Sequence, residues 1–272
     1  MHAPIAAEAR LGIEIDPAAG ASWPQLAALN PDYLAIPDLG DQRTPDALVG
    51  ARDLSPPLLL HLAGARHEPA DFDALLNLAR KQGVGALLPL RGDDPPSAGK
   101  SAFATGLAVL AYCRQHAAEL PCWAPAYPET HPLATSRRAD LEALHAKLDA
   151  GAAGVITQFA FDTRPLLRLR DHLASRGVSV PLLVGLLMPS DWQVVVALVR
   201  RSGVTVPDIL RRQFERHAGD SASTRAMALE WACGFRARLV AEEMHGLHLF
   251  MADDAQAVSD LLQATGRPGR TG

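Results

Sequence analysis

A small set of polar residues stands where the apolar runs of this chain stop, and their types suit proton transfer and the holding of a flat, charged ligand. Glu14 lies in LGIEID, Asp38 follows YLAI, His61 lies in LLLHL, Arg91, Gly92 and Asp93 follow ALLPL, and Gln158 closes VITQ. Tyr127, Glu129 and His131 are set among prolines in PCWAPAYPETHP, the pattern of a buried strand that ends in a rigid polar loop. Glu14, flanked by Ile13 and Ile15, is expected to be partly desolvated, to have its pKa raised toward neutrality and to serve as a general acid. The bland alternative is a structural ion pair with Arg91.

Other residues suit binding. Gly92 in LRGDD permits close approach of the backbone to a flat ligand. Asp140 and Lys147 are seven apart on a helix, so they share a face and could hold a ribose and a phosphate by hydrogen bond and charge. His61, Asp93, Glu129 and His131 are of metal-ligating types, but no HxH or HExxH pair fixes two ligands on one element, and no metal is expected.

The elements that must position these residues repeat along the chain. Strand-like runs are Leu11 to Ile15, Tyr33 to Ile36, Leu58 to Leu62, Gly85 to Leu90, Cys122 to Ala126, Gly154 to Phe159, Pro181 to Leu187 and Leu247 to Met251. Between them lie helix-period stretches such as Asp71 to Lys81, Phe103 to His116 and Asp140 to Asp149, the last with Leu141, Leu144 and Leu148 on one face. Nearly continuous apolar strands such as LLLHL and PLLVGLL are what a parallel sheet covered on both sides requires. Eight βα units without a nucleotide-loop glycine pattern predict a single-domain (β/α)8 TIM barrel over residues 1–266. Pro207 to Gly246 reads as two extra helices between strands seven and eight, and 267–272 as a disordered tail. In such barrels the C-terminal strand ends form the working face, so the polar residues should converge on one mouth.

Composition excludes several alternatives. With 26 basic and 30 acidic residues interspersed along 272, and a net charge of −4, no basic stripe invites a nucleic acid. Cys113, Cys122 and Cys233 form no CxxC and make an odd count, which fits a reducing compartment. The N-terminus lacks a basic stretch followed by a long apolar one, and no apolar run approaches a membrane span. A soluble, cytoplasmic protein is expected.

In order and spacing, LLLHL, ALLPLRGDDPPSAGK, AYPETHP and ADLEALHAKLDAGAAGVITQFAFD resemble the methylenetetrahydrofolate reductase family, from about Gly12 to Met251. RGD with its following prolines, YPExHP and KxDAGAxxxITQxxFD are the most specific strings. The resemblance implies a barrel that binds FAD and passes a hydride from NADH or NADPH to 5,10-methylenetetrahydrofolate in one-carbon metabolism. It implies that Glu14 is the acid, Asp93 the carboxylate beside the flavin ring, and Gln158 the amide shared by folate and nicotinamide. His61, Arg91, Gly92, Tyr127 and His131 match flavin contacts, and Asp140 and Lys147 match contacts to its ribose and phosphates. The partners implied are a folate-type small molecule and, for assembly, a homo-oligomer or a heteromeric partner.

The chain also departs from the family pattern. IEIDP replaces a run of aromatics and prolines around the acid, Ala63 and Gly64 replace a Thr and a Cys, and Pro37 and Asp38 stand for a Thr and an aromatic. Ala143 and Ala146 replace an Asn and an Arg on the flavin helix, Leu198 replaces an aromatic, and Asp253 and Asp254 stand where an Arg for the folate tail is expected. These departures leave a second reading: a non-catalytic or regulatory relative that binds flavin or folate weakly.

Overall fold

The structure, a computed structural model, describes residues 11–92, 103–188, 192–252 and 254–267. The apolar runs form β1 Leu11–Glu14, β2 Tyr33–Ile36, β3 Leu58–Ala63, β4 Ala86–Leu90, β5 Ala124–Ala126, β6 Val155–Phe159, β7 Leu182–Leu187 and β8 Leu247–Phe250. All pair in parallel, in the order β4-β3-β2-β1-β8-β7-β6-β5. The two edges meet at Leu87, whose N–H donates to Pro121 O at 2.9 Å and whose carbonyl accepts from Trp123 N at 2.8 Å. The sheet closes through this bridge into the (β/α)8 barrel that the alternation of the sequence predicts.

The helices are α1 Trp23–Ala28, α2 Arg43–Gly50, α3 Pro69–Lys81, α4 Gly106–His116, α5 Arg137–Asp149, α6 Thr163–Ser175, α7 Trp192–Ser202, α8 Asp208–Arg216, α9 Ser221–Ala241 and α10 Ala255–Thr265. Their starts differ from the apolar periodicity because polar side chains set them. Pro69 takes the first turn of α3 behind a Glu68–Asp71 capping box. Thr105 Oγ1 accepts from Ala108 N at 3.1 Å to start α4 at Gly106 instead of Phe103. Ser136 Oγ accepts from Ala139 N at 3.1 Å, which starts α5 three residues before Asp140.

The two-residue period of each strand divides the apolar side chains between two places. Tyr33, Leu59, Leu88, Trp123, Ile156 and Leu183 cluster inside the barrel. Their neighbours in the chain, Leu34, Leu60, Leu87, Val155 and Val184, belong to a larger core with the helices. The leucine face of α5 joins that core, with Leu144 buried and Leu141 and Leu148 packed beside it. The insertion between β7 and β8 is the expected helix pair, α8 and α9, following α7. It is tied to the barrel by its own cluster, in which Phe159, Leu187, Leu210 and Phe214 meet and Trp192 stacks on Phe214 at 5.0 Å. Phe214, fully buried, alone contributes about 2–3 kcal/mol by leaving water. At the other end, Arg267 donates to Leu29 O at 2.9 Å. No helix among the described residues is long and apolar enough to cross a membrane.

Candidate functional site

Glu14 ends β1, and strand parity turns it inward with Gly12 while Leu11 and Ile13 face the helices. His61 is turned inward from β3, and His248 from β8, where Leu247 and Leu249 on either side face out. The three meet: Glu14 Oε2 lies 3.8 Å from His61 Nε2 and 4.0 Å from His248 Nε2, and all three residues are buried. Both separations exceed a hydrogen bond, and neither Nε2 has a hydrogen-bond partner among the described residues.

This arrangement corrects two expectations. Arg91 is not the partner of Glu14: the groups beside the carboxylate are imidazoles, while the Arg91 carbonyl accepts from Ala65 N at 2.7 Å across the barrel rim. Nor is the Glu14 pKa raised. Burial pushes it up, but the approach of His248, the charges of His61 and His248, and the Met251 main-chain N–H outweigh burial and hold it below the usual value. His61 moves the other way, pushed down to about 4 chiefly by burial, with the Glu14 charge opposing. At neutral pH the site therefore holds a carboxylate beside an uncharged His61.

His248 escaped the sequence reading because one His in LHLF looks like a core residue. Its signal is parity, since it is the lone polar inward position of the last strand. Together Glu14, His61 and His248 offer one donor atom each, all within 4.8 Å of one another. A tetrahedral ion would need edges of roughly 3.3 Å, so the O–N separations of 3.8 and 4.0 Å would have to shorten by roughly 0.5 and 0.7 Å. Among the described residues, His61, Glu129 and His131 of the metal-ligating types named from the sequence do not gather. Glu129 Oε1 accepts from Thr205 N at 2.9 Å, His131 Nδ1 accepts from Leu133 N at 3.0 Å, and Asp93 lies outside the described residues.

Around the mouth, Gly92 has φ +91°, and a Cβ on it would sit 3.2 Å from Ala63 Cβ. Only glycine gives this turn so low a profile over small residues. In the loop after β5 the Tyr127 and His131 rings meet edge to face at 4.4 Å. Arg137, not singled out from sequence, fixes that loop by donating to Tyr127 O, Glu129 O and Asp140 Oδ2. Asp140 Oδ2 also accepts from His131 N at 3.3 Å. Along α5, Lys147 Nζ donates to Pro125 O at 3.0 Å; burial pushes its pKa down to about 8, with the Asp140 charge opposing. Gln158, at the end of β6, accepts from Phe159 N at 3.0 Å and lines a small recess with Tyr127 and Gly203.

Two other acids prove structural. Asp38 is buried and accepts from Ala63 N at 2.8 Å, with His67 Nε2 at 2.7 Å from the same oxygen. Asp254 caps α10 through Ala257 N at 3.0 Å and is ion-paired with Arg225 of α9. The rim after β8 thus carries a cation although Asp253 and Asp254 stand where the family pattern has an Arg; Arg225 arrives there from the insertion. Asp253 lies outside the described residues.

A parallel barrel whose interior gathers an acid from the end of one strand and imidazoles from two others has the architecture of an enzyme acting on a small molecule. The family profile described as methylenetetrahydrofolate reductase matches residues 51–266. This is well over half of the chain, which belongs to that family of oxidoreductases. The chain is 29% identical over 257 residues to the 5,10-methylenetetrahydrofolate reductase of Escherichia coli K12, covering 90% of this chain and 84% of that one. With the enzyme of that name from Salmonella typhimurium LT2 it shares 32% over 205 residues, 74% of this chain and 68% of that one. In fold it is similar to an uncharacterized protein from Clostridium thermocellum that binds two copies of 5-methyl-5,6,7,8-tetrahydrofolic acid, with a TM-score of 0.64 and 12% identity over 94% of each chain.

Proposed function

We propose that this chain reduces 5,10-methylenetetrahydrofolate to 5-methyltetrahydrofolate with FAD as its cofactor and NADH or NADPH as the source of hydride. The observation that carries the reading is Glu14, an inward carboxylate with an imidazole nitrogen 3.8 Å and another 4.0 Å away. The family match starts beyond β1, so the role of Glu14 rests on its place in the barrel.

The residues present fit a flavin. Gly92 leaves a low floor over Ala63 and Ala65, on which a flat ring can lie, with Arg91 before it and Asp93 after it in the chain. Tyr127 and His131, in the loop after β5, offer a pair of rings, and Asp140 and Lys147 on α5 suit a ribose and phosphates. Ala143 and Ala146 add no polar contact, so the cofactor is held by fewer groups than it could be. Bound FAD supplies the hydride relay.

The chain's own residues orient the rings and move one proton. Opening the five-membered ring of the substrate requires a proton on one of its nitrogens as the C–N bond breaks, and Glu14 is placed to deliver it. Because its carboxyl rests below the usual pKa, Glu14 has to take up that proton as the substrate ring covers it. Gln158 offers its amide to the folate or nicotinamide ring in turn.

The test is optical. FAD titrated into the protein should develop a bound flavin spectrum, NADH or NADPH should bleach it, and methylenetetrahydrofolate should restore it. A protein whose spectrum no added FAD shifts overturns this reading in favour of a non-catalytic relative.

A further inference from the structure

Beyond Glu14 and its two imidazoles, a buried tyrosine lies where β1, β2 and β8 share the barrel interior. Gly12 pairs with Tyr33 across β1 and β2. A Cβ on residue 12 would lie 2.1 Å from Tyr33 Cζ and 2.3 Å from its hydroxyl oxygen. The phenol thus lies in space that only a glycine leaves. From there its hydroxyl reaches His248 Nδ1 at 2.9 Å, with the two rings stacked 5.8 Å apart and both residues fully buried.

The direction of that hydrogen bond follows from what each group needs. Burial, with the charges of Asp32 and Glu14, keeps the phenol protonated well above the ordinary tyrosine range. A buried hydroxyl that donates to nothing is costly, and the acceptor within reach of this one is Nδ1. If the hydroxyl donates, Nδ1 accepts, and the one proton of the neutral imidazole stays on Nε2. Nε2 is the atom 4.0 Å from Glu14 Oε2, where an N–H is attracted to a carboxylate and a lone pair is repelled. Two separate requirements select the same tautomer.

We infer that Tyr33, admitted by Gly12, is a positioning residue of the reaction: its hydroxyl holds His248 as the Nε2–H tautomer, which meets the Glu14 carboxylate once its proton has gone to the substrate. This rests on the reading of Glu14 as the acid, but the tautomer can be measured independently of it.

The experiment is nitrogen NMR of the full chain with labelled histidine, together with the stopped-flow folate half-reaction, on wild type and Tyr33→Phe, which keeps the ring over Gly12. Wild type should show His248 protonated at Nε2 and bare at Nδ1, and Tyr33→Phe should mix the tautomers. The variant should slow the folate half-reaction about tenfold, as expected for one lost hydrogen bond, with KM little changed. Its pH profile should move to higher pH, because the carboxylate is less well met; a merely structural tyrosine would not move it. A wild-type His248 protonated at Nδ1 overturns the inference even if the variant fails to fold. So does a Tyr33→Phe protein with the wild-type tautomer and pH profile. If the tautomer is as stated but Glu14→Gln reacts with folate at the wild-type rate, the acid assignment has failed, and the catalytic role of Tyr33 falls with it while the hydrogen bond stands.

Discussion

Lys147 Nζ donates to the main-chain carbonyl of Pro125 at 3.0 Å, so a helix on the outside of the barrel delivers an ammonium to the backbone of the fifth strand. The residue as a whole is only partly buried, but its charged end is enclosed, and its pKa falls from 10.5 to about 8. A lowered lysine pKa means that the folded state disfavours the charge. The cost is full below pH 8 and disappears as pH rises to the unfolded value of 10.5.

Lys147→Met is therefore expected to stabilise the cofactor-free protein at pH 7 by about 1–3 kcal/mol, with the gain fading toward pH 10. The same change should weaken FAD binding, since it removes the cation proposed for the phosphates. Urea unfolding and FAD titration check both effects. Lys81→Met, on the exposed end of α3, should do neither; a variant of Lys147 that loses stability instead would make the residue a structural tie.

His61 supplies a pH window. Its folded pKa of about 4 lies below the ordinary 6.5, so between these values the unfolded chain binds more protons than the folded one. Stability is full above pH 6.5 and is lost as pH falls toward 4, by up to about 3 kcal/mol. Unfolding midpoints from pH 7.5 to 4.5 should show that slope, and His61→Gln should flatten it. An unchanged slope in the variant would assign the acid sensitivity to other groups.

Glu14→Gln separates the two halves of the proposed reaction. Passing hydride from the nicotinamide cofactor to the flavin needs no proton on the folate, so bleaching should proceed at close to the wild-type rate. Reoxidation by methylenetetrahydrofolate should slow by roughly 10²- to 10⁴-fold, the usual range for a lost general acid. Equal slowing of both halves would make Glu14 structural.

The Arg225–Asp254 pair bears on the length of folate tail that the enzyme prefers. Arg225 is engaged by Asp254, so monoglutamate and polyglutamate forms should be used about equally. Asp254→Asn keeps a side chain able to cap α10 but releases the arginine. That variant should favour polyglutamate several-fold at low salt, and the preference should fade as salt is added. No change in preference would place the tail elsewhere on the rim.

Much of this molecule is legible in the sequence because its signals are local. Short, nearly continuous apolar runs such as LGIE, YLAI and LLLHLA report strands, and the leucine face of α5 reports a helix, since each depends only on neighbours a few residues away. Alternation of the two then leaves a closed parallel barrel as the compact solution. Glu14, His61 and Gln158 are visible because each is a polar break in an apolar run, and Gly92 because a glycine in LRGDD permits close approach of the backbone to a flat ligand. What the local pattern cannot carry is which of these residues meet. Tyr33 and His248 stand 215 positions apart, and only the pairing of β1 with both β2 and β8 brings them to one layer of the interior. The same closure surrounds Glu14 with imidazoles instead of the guanidinium of Arg91. It thereby reverses the direction of the Glu14 pKa, because burial alone raises a carboxylate while two nearby nitrogens lower it. Arg225 reaches Asp254 for a like reason: α9 packs back against α10. Charge and proton affinity are set by neighbours in space, and in a barrel the neighbours that matter come from the far end of the chain.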